Sequence, residues 1–399
     1  MRFIIWHDND YDFAKWVYKN SILKNENVYL QCIPKTNNSD LISKKLVNRY
    51  EYDILPFIKF ATPDIIIQKV EKNFSKIIFV SEFMTHTPQH DHVFQRFERI
   101  YCSSNQRVPT AFVLPFRKSK LEKGGARTEY RQVSYKPNPL AIHTYIKTSH
   151  INKTPTLMYF WPEKNGYLKY DSKHQTAPKI EEDILKWFEF LNNAVSNKNQ
   201  NLYNSSIVKE RLDYLEKISL LDDINFSSIK FNDFILNFKS YYNLSRVNII
   251  STNQVIRDFK LDPSKLSNEF LSRKKSLIFK YSSKQFRTDP YCGFIAGFEN
   301  LFCKDYSNIK QINLIHYPKG IKYLEVSKVK RGKDPTFKEI NEDLNNCPLH
   351  SVSKMDKESF SNIKQHIKKC VYTKSKQQRI FGTISDIVVF DDFIFYNND

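Results

Sequence analysis

The chain has 399 residues and a formal charge of +19, with 31 Phe and 23 Tyr but only 8 Gly. That length suits two domains, or one domain with a large insertion, and the aromatic content excludes a flexible low-complexity protein. The positive surplus selects polyanions; because no apolar run approaches the roughly 20 residues of a spanning helix, nucleic acid is favoured over a membrane as partner.

Met1 to Trp6 reads as an opening strand, with Asp8 and Asp10 in the turn after it. The segment MRFIIWHDND turns acidic too soon for a signal peptide, and a cytoplasmic location is expected. Asp12 caps a helix through Ala14, Trp16 and Val17; Val28 to Ile33 is a strand, and Leu41 to Tyr50 a helix followed by Glu51 and Asp53. Ile65, Ile66 and Ile67, then Ile77 to Val80, are β-branched or aromatic and suit a pleated, packed surface. Two strands are therefore expected, one opening at Asp64 and the other spanning Lys76 to Met84. From Asp91 to Cys102 the apolar residues Val93, Phe94, Phe97, Ile100 and Tyr101 share one helical face. A third strand runs from Val108 to Phe116. The segment RKSKLEKGGARTEYRQ after it, basic and holding Gly124-Gly125, reads as a mobile loop. Pro139 to Ser149 is a helix and Pro155 to Trp161 a strand.

From Ile180 the period becomes helical: Ile184 to Val195, Ile207 to Ile218, and Ile229 to Tyr242. The last third is mixed, with strands at Asn313 to Tyr317 and Lys322 to Val329 and a final apolar strand pair from Ile384 to Phe395. The six cysteines form no CxxC pair and read as thiols in a reducing compartment. The expected fold class is α/β, a mixed central sheet flanked by helices. Its domains are an α/β domain over residues 1–175, a helical connector over 176–245 and a second, α+β domain over 246–399.

The chemistry lies in two acids. Glu82 shares a strand face with Val80 and Met84, and a hairpin of this length brings Asp64 beside it. Two carboxylates on apolar strands repel each other and are costly to desolvate, a conflict that a divalent cation removes. Mg²⁺ takes one or two carboxylates, waters and substrate phosphate oxygens, and in that position stabilises charge on a phosphodiester. Taken singly, each acid reads better as structural, Asp64 as a turn acid before a strand and Glu82 as a half-exposed acid on an edge strand.

Pro63-Asp64, then Glu82 near the end of the next strand, then a helix and a further strand resemble the PD-(D/E)XK nuclease superfamily, the fold of many restriction endonucleases. The resemblance implies a restriction-endonuclease-like core in which Asp64 and Glu82 hold Mg²⁺. The superfamily's lysine would fall at Met84, so the third catalytic position passes to the following helix. There Gln95 would place water or the scissile phosphate, and Arg96 and Arg99 would contact the DNA backbone. Glu51 would be an auxiliary ligand or a surface acid.

The same resemblance implies a Mg²⁺-dependent endonuclease acting on double-stranded DNA, in its most specific form a type II restriction endonuclease. Symmetric sites favour a homodimer. Lys328, Lys330 and Arg331 in the basic run SKVKRGK are further phosphate contacts, in a C-terminal domain that recognises DNA. Asp289, Glu325 and Lys328 form a looser rival set, since Glu325 and Lys328 point to opposite faces of a regular strand. The alternative is a non-catalytic basic nucleic-acid-binding protein with a degenerate nuclease core.

Overall fold

Runs of Ile, Val and Phe that are buried along their whole length fall into the strands of one mixed sheet. The computed structural model describes residues 1–33, 49–58, 62–72, 74–85, 96–123, 130–135, 139–165, 167–196, 201–219, 247–281, 312–319, 385–389 and 394–396. It divides into two compact units, Met1–Pro34 with Val47–Ser227, and Lys35–Leu46 with Ser228–Asp399.

In the first unit the strands are β1 (Arg2–His7), β2 (Val28–Cys32), β3 (Ile65–Val70), β4 (Ser75–Phe83), β5 (Thr110–Pro115), the hairpin β6 (Arg117–Lys123) and β7 (Tyr130–Tyr135), and β8 (Thr156–Trp161). Four short strands come after these: β9 (Glu163–Lys164), β10 (Tyr167–Leu168), β11 (Tyr170–Asp171) and β12 (His174–Pro178). The main sheet has the order β2-β1-β3-β4-β5-β8. Strand β3 is antiparallel to both of its neighbours, whereas β4, β5 and β8 run parallel. Parallel neighbours need a crossover, and helices supply it here. Helix α3 (Phe97–Asn105) links β4 to β5 and α4 (Pro139–Asn152) precedes β8, while α1 (Tyr11–Asn20) and α2 (Arg49–Ile58) lie earlier in the chain.

Strand β4 divides its side chains between two different surroundings. Phe79, Ser81 and Phe83 face α1 and α5 (Glu182–Ser196): Phe83 stands edge-on to Phe13 at 4.6 Å and to Trp187 at 5.0 Å, and Trp187 Nε1 donates to Ser81 Oγ at 3.2 Å. Burying a large side chain of this kind contributes about 1.5–3 kcal/mol. Glu82 points to the other face, toward α3.

Three expectations are corrected. The segment from 117 to 132 holds a paired β-hairpin, not a loop: Leu121 pairs with Gln132 and Glu122 with Arg131, because backbone pairing does not require an apolar side chain. Helices α5 and α6 (Ser206–Ile218) belong to the first unit, which runs on to Ser227, rather than to a connector. Their apolar face, including Trp187, Leu191 and Leu215, is buried, and Arg211 Nε donates to the β8 carbonyl of Met158 at 2.7 Å. The helix expected to close at Tyr50 runs on to Ile58, burying Ile54, Phe57 and Ile58 at helical spacing. Residues 41–48, the helix over 229–242 and the strand over 322–329 lie outside the described residues.

The second unit is built on a five-stranded sheet, β13 (Val247–Ser251), β14 (Lys275–Tyr281), β15 (Ile312–Pro318), β16 (Ile387–Val389) and β17 (Ile394–Tyr396), in that spatial order. Its three inner strands are parallel and its edge strands antiparallel to them. Helices α7 (Thr252–Asp258) and α8 (Asn268–Ser272) contribute Val255 and Phe270 to its core. The buried guanidinium of Arg273 donates to Asp386 at 2.9 Å and to Asn313 at 3.1 Å, which ties β14, β15 and the approach to β16 together.

Each unit buries a histidine. Burial, with Lys147 adding to it, holds the His143 imidazole down to about 4, and burial alone holds His316 down to about 3. Both are neutral in the folded state where the unfolded chain would protonate them, so stability is intact above about pH 6.5 and falls as pH drops toward those values. Each unit of depression is worth about 1.4 kcal/mol. Denaturant titrations at pH 7.5 and 5 are expected to show the loss, and His143→Gln should flatten the slope for the first unit.

Candidate functional site

The site lies where β3 begins and β4 ends. Ile65 pairs with Ser81 in the antiparallel ladder, so one step further along Asp64 stands opposite Glu82. Residues directly opposite each other project to the same face of the sheet. The two acids are also interlocked. The Asp64 backbone N–H donates to Glu82 Oε2 at 3.2 Å, and the Phe83 backbone N–H donates to Asp64 Oδ2 at 2.7 Å. Each side chain thus reads the backbone of the opposite strand, which fixes both carboxyl groups.

Glu82 is fully buried. Its Oε1 receives Arg96 Nη1 at 2.8 Å and Arg99 Nη1 at 2.5 Å. Arg96 is the N-cap of α3 and Arg99 lies one turn on, so both guanidinium groups reach back over the helix start. Two cations at a helix N-terminus oppose the macrodipole, and the Glu82 carboxylate set there offsets that cost. Asp64 is half-buried, yet its carboxyl lies well above the usual carboxylate range. Desolvation is the main cause and the neighbouring Glu82 carboxyl adds to it, against the opposing pull of Arg99, the Phe83 N–H and Arg96.

The chain matches no family model, no curated protein and no solved structure. The chemistry of the site therefore rests on its own geometry. Asp64, Glu82, Arg96 and Arg99 are brought together. The two arginines, expected on a DNA backbone, are instead ion-paired with Glu82. Met84 is buried at the end of β4 and its N–H donates to the Val113 carbonyl at 2.8 Å, so an apolar side chain stands where the resemblance would put a lysine. Gln95, Lys328, Lys330, Arg331, Asp289 and Glu325 lie outside the described residues, as does the Glu51 side chain.

Among the described residues no group of three or more His, Cys, Asp or Glu side chains could hold a metal ion. A two-carboxylate site does not need a third protein ligand, since Mg²⁺ keeps several waters and takes phosphate oxygens. The donors fit that ion: two hard carboxylates face each other, and desolvation has left one of them short of positive charge.

Sequence reasoning missed a polar network toward the other end of the β3–β4 pair, where β4 begins. Asp53 of α2 accepts from Gln68 Nε2 at 2.9 Å and from the Ser75 hydroxyl, and Gln68 Oε1 in turn accepts from Trp6 Nε1 at 2.8 Å. The readable signal was Gln68 directly after three isoleucines in a strand, where a buried amide demands partners.

Proposed function

We propose that this chain is a Mg²⁺-dependent phosphodiesterase acting on double-stranded DNA, an endonuclease of the PD-(D/E)XK kind. The observation that carries the reading is the interlocked Asp64–Glu82 pair on adjacent strands, with Asp64 protonated beyond the ordinary carboxylate range. Such a pair is costly unless it serves to gather charge. The mixed sheet flanked by helices is a scaffold this chemistry uses, and the net charge of +19 supports a polyanionic substrate.

Asp64 and Glu82 would hold the ion, which supplies charge stabilisation on the phosphodiester and a more acidic bound water. Arg96 and Arg99 hold Glu82 in one rotamer and stand ready as phosphate donors when that carboxylate's charge is met from elsewhere. Gln95, which precedes Arg96 in the sequence, is the residue expected to place water or the scissile phosphate. A type II restriction endonuclease, acting as a homodimer with the second unit reading bases, is the sharpest form of the proposal.

Incubating the protein with mixed-sequence plasmid and Mg²⁺ tests it. Discrete fragments are expected from the wild type and none from Glu82→Ala; cutting that survives Glu82→Ala defeats the assignment. One observation favours a second reading, a DNA-binding protein without catalysis: both arginines already neutralise Glu82, and Met84 offers no proton-transfer group. Salt-sensitive DNA binding with no cutting in any divalent ion would decide for it.

A further inference from the structure

A cavity of about 160 Å³ opens at the other end of the first sheet. Lys76 at the start of β4 lines it, six residues and roughly 20 Å from Glu82 along the strand. Arg107 and Lys153 line it too, with Asn193, Asn201 and Tyr203, and no carboxylate is among its lining residues. Among the described residues none of the three cations is in an ion pair; Lys153 Nζ rests over the Tyr203 ring at 5.5 Å. Three cations line one concave surface that has no counter-charge in its lining, a setting that favours an anion.

The chain builds this convergence twice over. Helix α3 is followed by Arg107-Val108-Pro109-Thr110 and α4 by Lys153-Thr154-Pro155-Thr156. Each basic residue takes a left-handed backbone, φ 56° at Arg107 and 49° at Lys153. In both turns the next N–H closes on the helix, Val108 onto the Ser103 carbonyl at 3.0 Å and Thr154 onto the Ser149 carbonyl at 3.2 Å. Glycine is the usual residue at this capping position, because a side chain there is energetically disfavoured. Thr110 pairs with Thr156 across β5 and β8, so the two turns stand side by side and present both cations to one cavity.

We infer that this cavity is a phosphoryl-binding site, for the phosphate ester of a free nucleotide or for the 5′-phosphate end of a nucleic acid. Its concave form and aliphatic walls, Pro109, Pro155 and Leu202 among them, select a compact anion over an extended strand. The inference does not depend on the nuclease reading. A basic residue at a helix C-terminus also complements the macrodipole, so the test must separate capping from ligand binding.

Calorimetric titration of the full chain does so with ATP, adenosine, and a short single strand carrying either a 5′-phosphate or a 5′-hydroxyl. One phosphorylated probe is expected to bind at least about tenfold more tightly than its unphosphorylated counterpart. Preference for ATP identifies a free nucleotide, and preference for the strand identifies a nucleic-acid end. Arg107→Gly with Lys153→Gly removes both cations and relieves both left-handed turns. It should weaken binding by at least about tenfold while the thermal midpoint holds or rises. Lys76→Ala, at an exposed strand start, gives the same direction of loss should the double variant not fold. Binding unchanged in Asp64→Asn with Glu82→Gln separates this site from the acidic one. The inference is overturned if neither phosphorylated probe binds, if the phosphate makes no difference, if the cation-to-glycine variant binds like the wild type, or if the acid variants abolish binding.

Discussion

Asp64→Asn is expected to make the protein more stable and to end its response to Mg²⁺. The folded state raises the Asp64 pKa, so between the ordinary carboxylate value and the raised one the folded chain keeps a proton that the unfolded chain has released. Stability is full below that window and falls as pH rises through it. Asparagine carries no such penalty and can still accept the Phe83 N–H. Each unit of elevation removed returns about 1.4 kcal/mol. The wild type at neutral pH should recover its deficit when Mg²⁺ binds, by about 2.7 kcal/mol at a hundredfold excess over Kd. Thermal melts with and without Mg²⁺ at pH 7.5 would show a rising midpoint for the wild type and a flat, higher one for the variant. Cleavage by the variant should fall by at least about a hundredfold, the equivalent of about 2.7 kcal/mol of transition-state stabilisation. An identical Mg²⁺ shift in both proteins would move the ion away from Asp64.

Asp183→Ala should be the most damaging single change to the first unit. Arg211 is buried and makes a two-pronged contact to Asp183, at 3.0 and 2.6 Å, while its Nε holds the Met158 carbonyl. Its guanidinium lies over the rings of Tyr159, Phe160 and Tyr214 at 4.6 to 5.2 Å. Asp183 also accepts the Phe160 N–H at 3.0 Å. Removing the acid leaves a buried cation and a strand N–H without their partner, and breaking such a pair costs about 3–5 kcal/mol. The unfolding midpoint should drop on the order of 10 °C. Arg211→Leu added to Asp183→Ala should recover much of the loss, since replacing both charges with apolar groups is often near neutral. A double variant as unstable as the sum of the singles would show that the pair is not the source.

Much of the site's local geometry was legible before any tertiary contact. Alternation along β4 sets Glu82 and Phe83 on opposite faces, and the three-residue spacing of Arg96 and Arg99 puts both guanidinium groups on one side of α3. Both come from backbone periodicity, which each segment carries in itself. The amphipathic stripe of α5 was equally plain in Trp187, Phe188 and Leu191. Which surface receives that stripe was not, because an apolar face fits any apolar partner, and the helix was therefore read as a connector.

Pairing, by contrast, exists only in the folded chain. Nothing local to Asp64 says that β3 lies antiparallel to β4 in the register that sets it opposite Glu82, with a bulge between Ile67 and Gln68. Nor does the sequence near Arg107 say that Lys153 stands beside it, since that depends on β5 and β8 being neighbours in the sheet. The Arg117–Tyr135 hairpin was hidden for the same reason: its polar residues carry no hydrophobic signal, and its stability comes from backbone partners in another segment. Periodicity belongs to one stretch of chain, whereas register, sheet order and charge pairing belong to two, and their free energy arises only once both are in place.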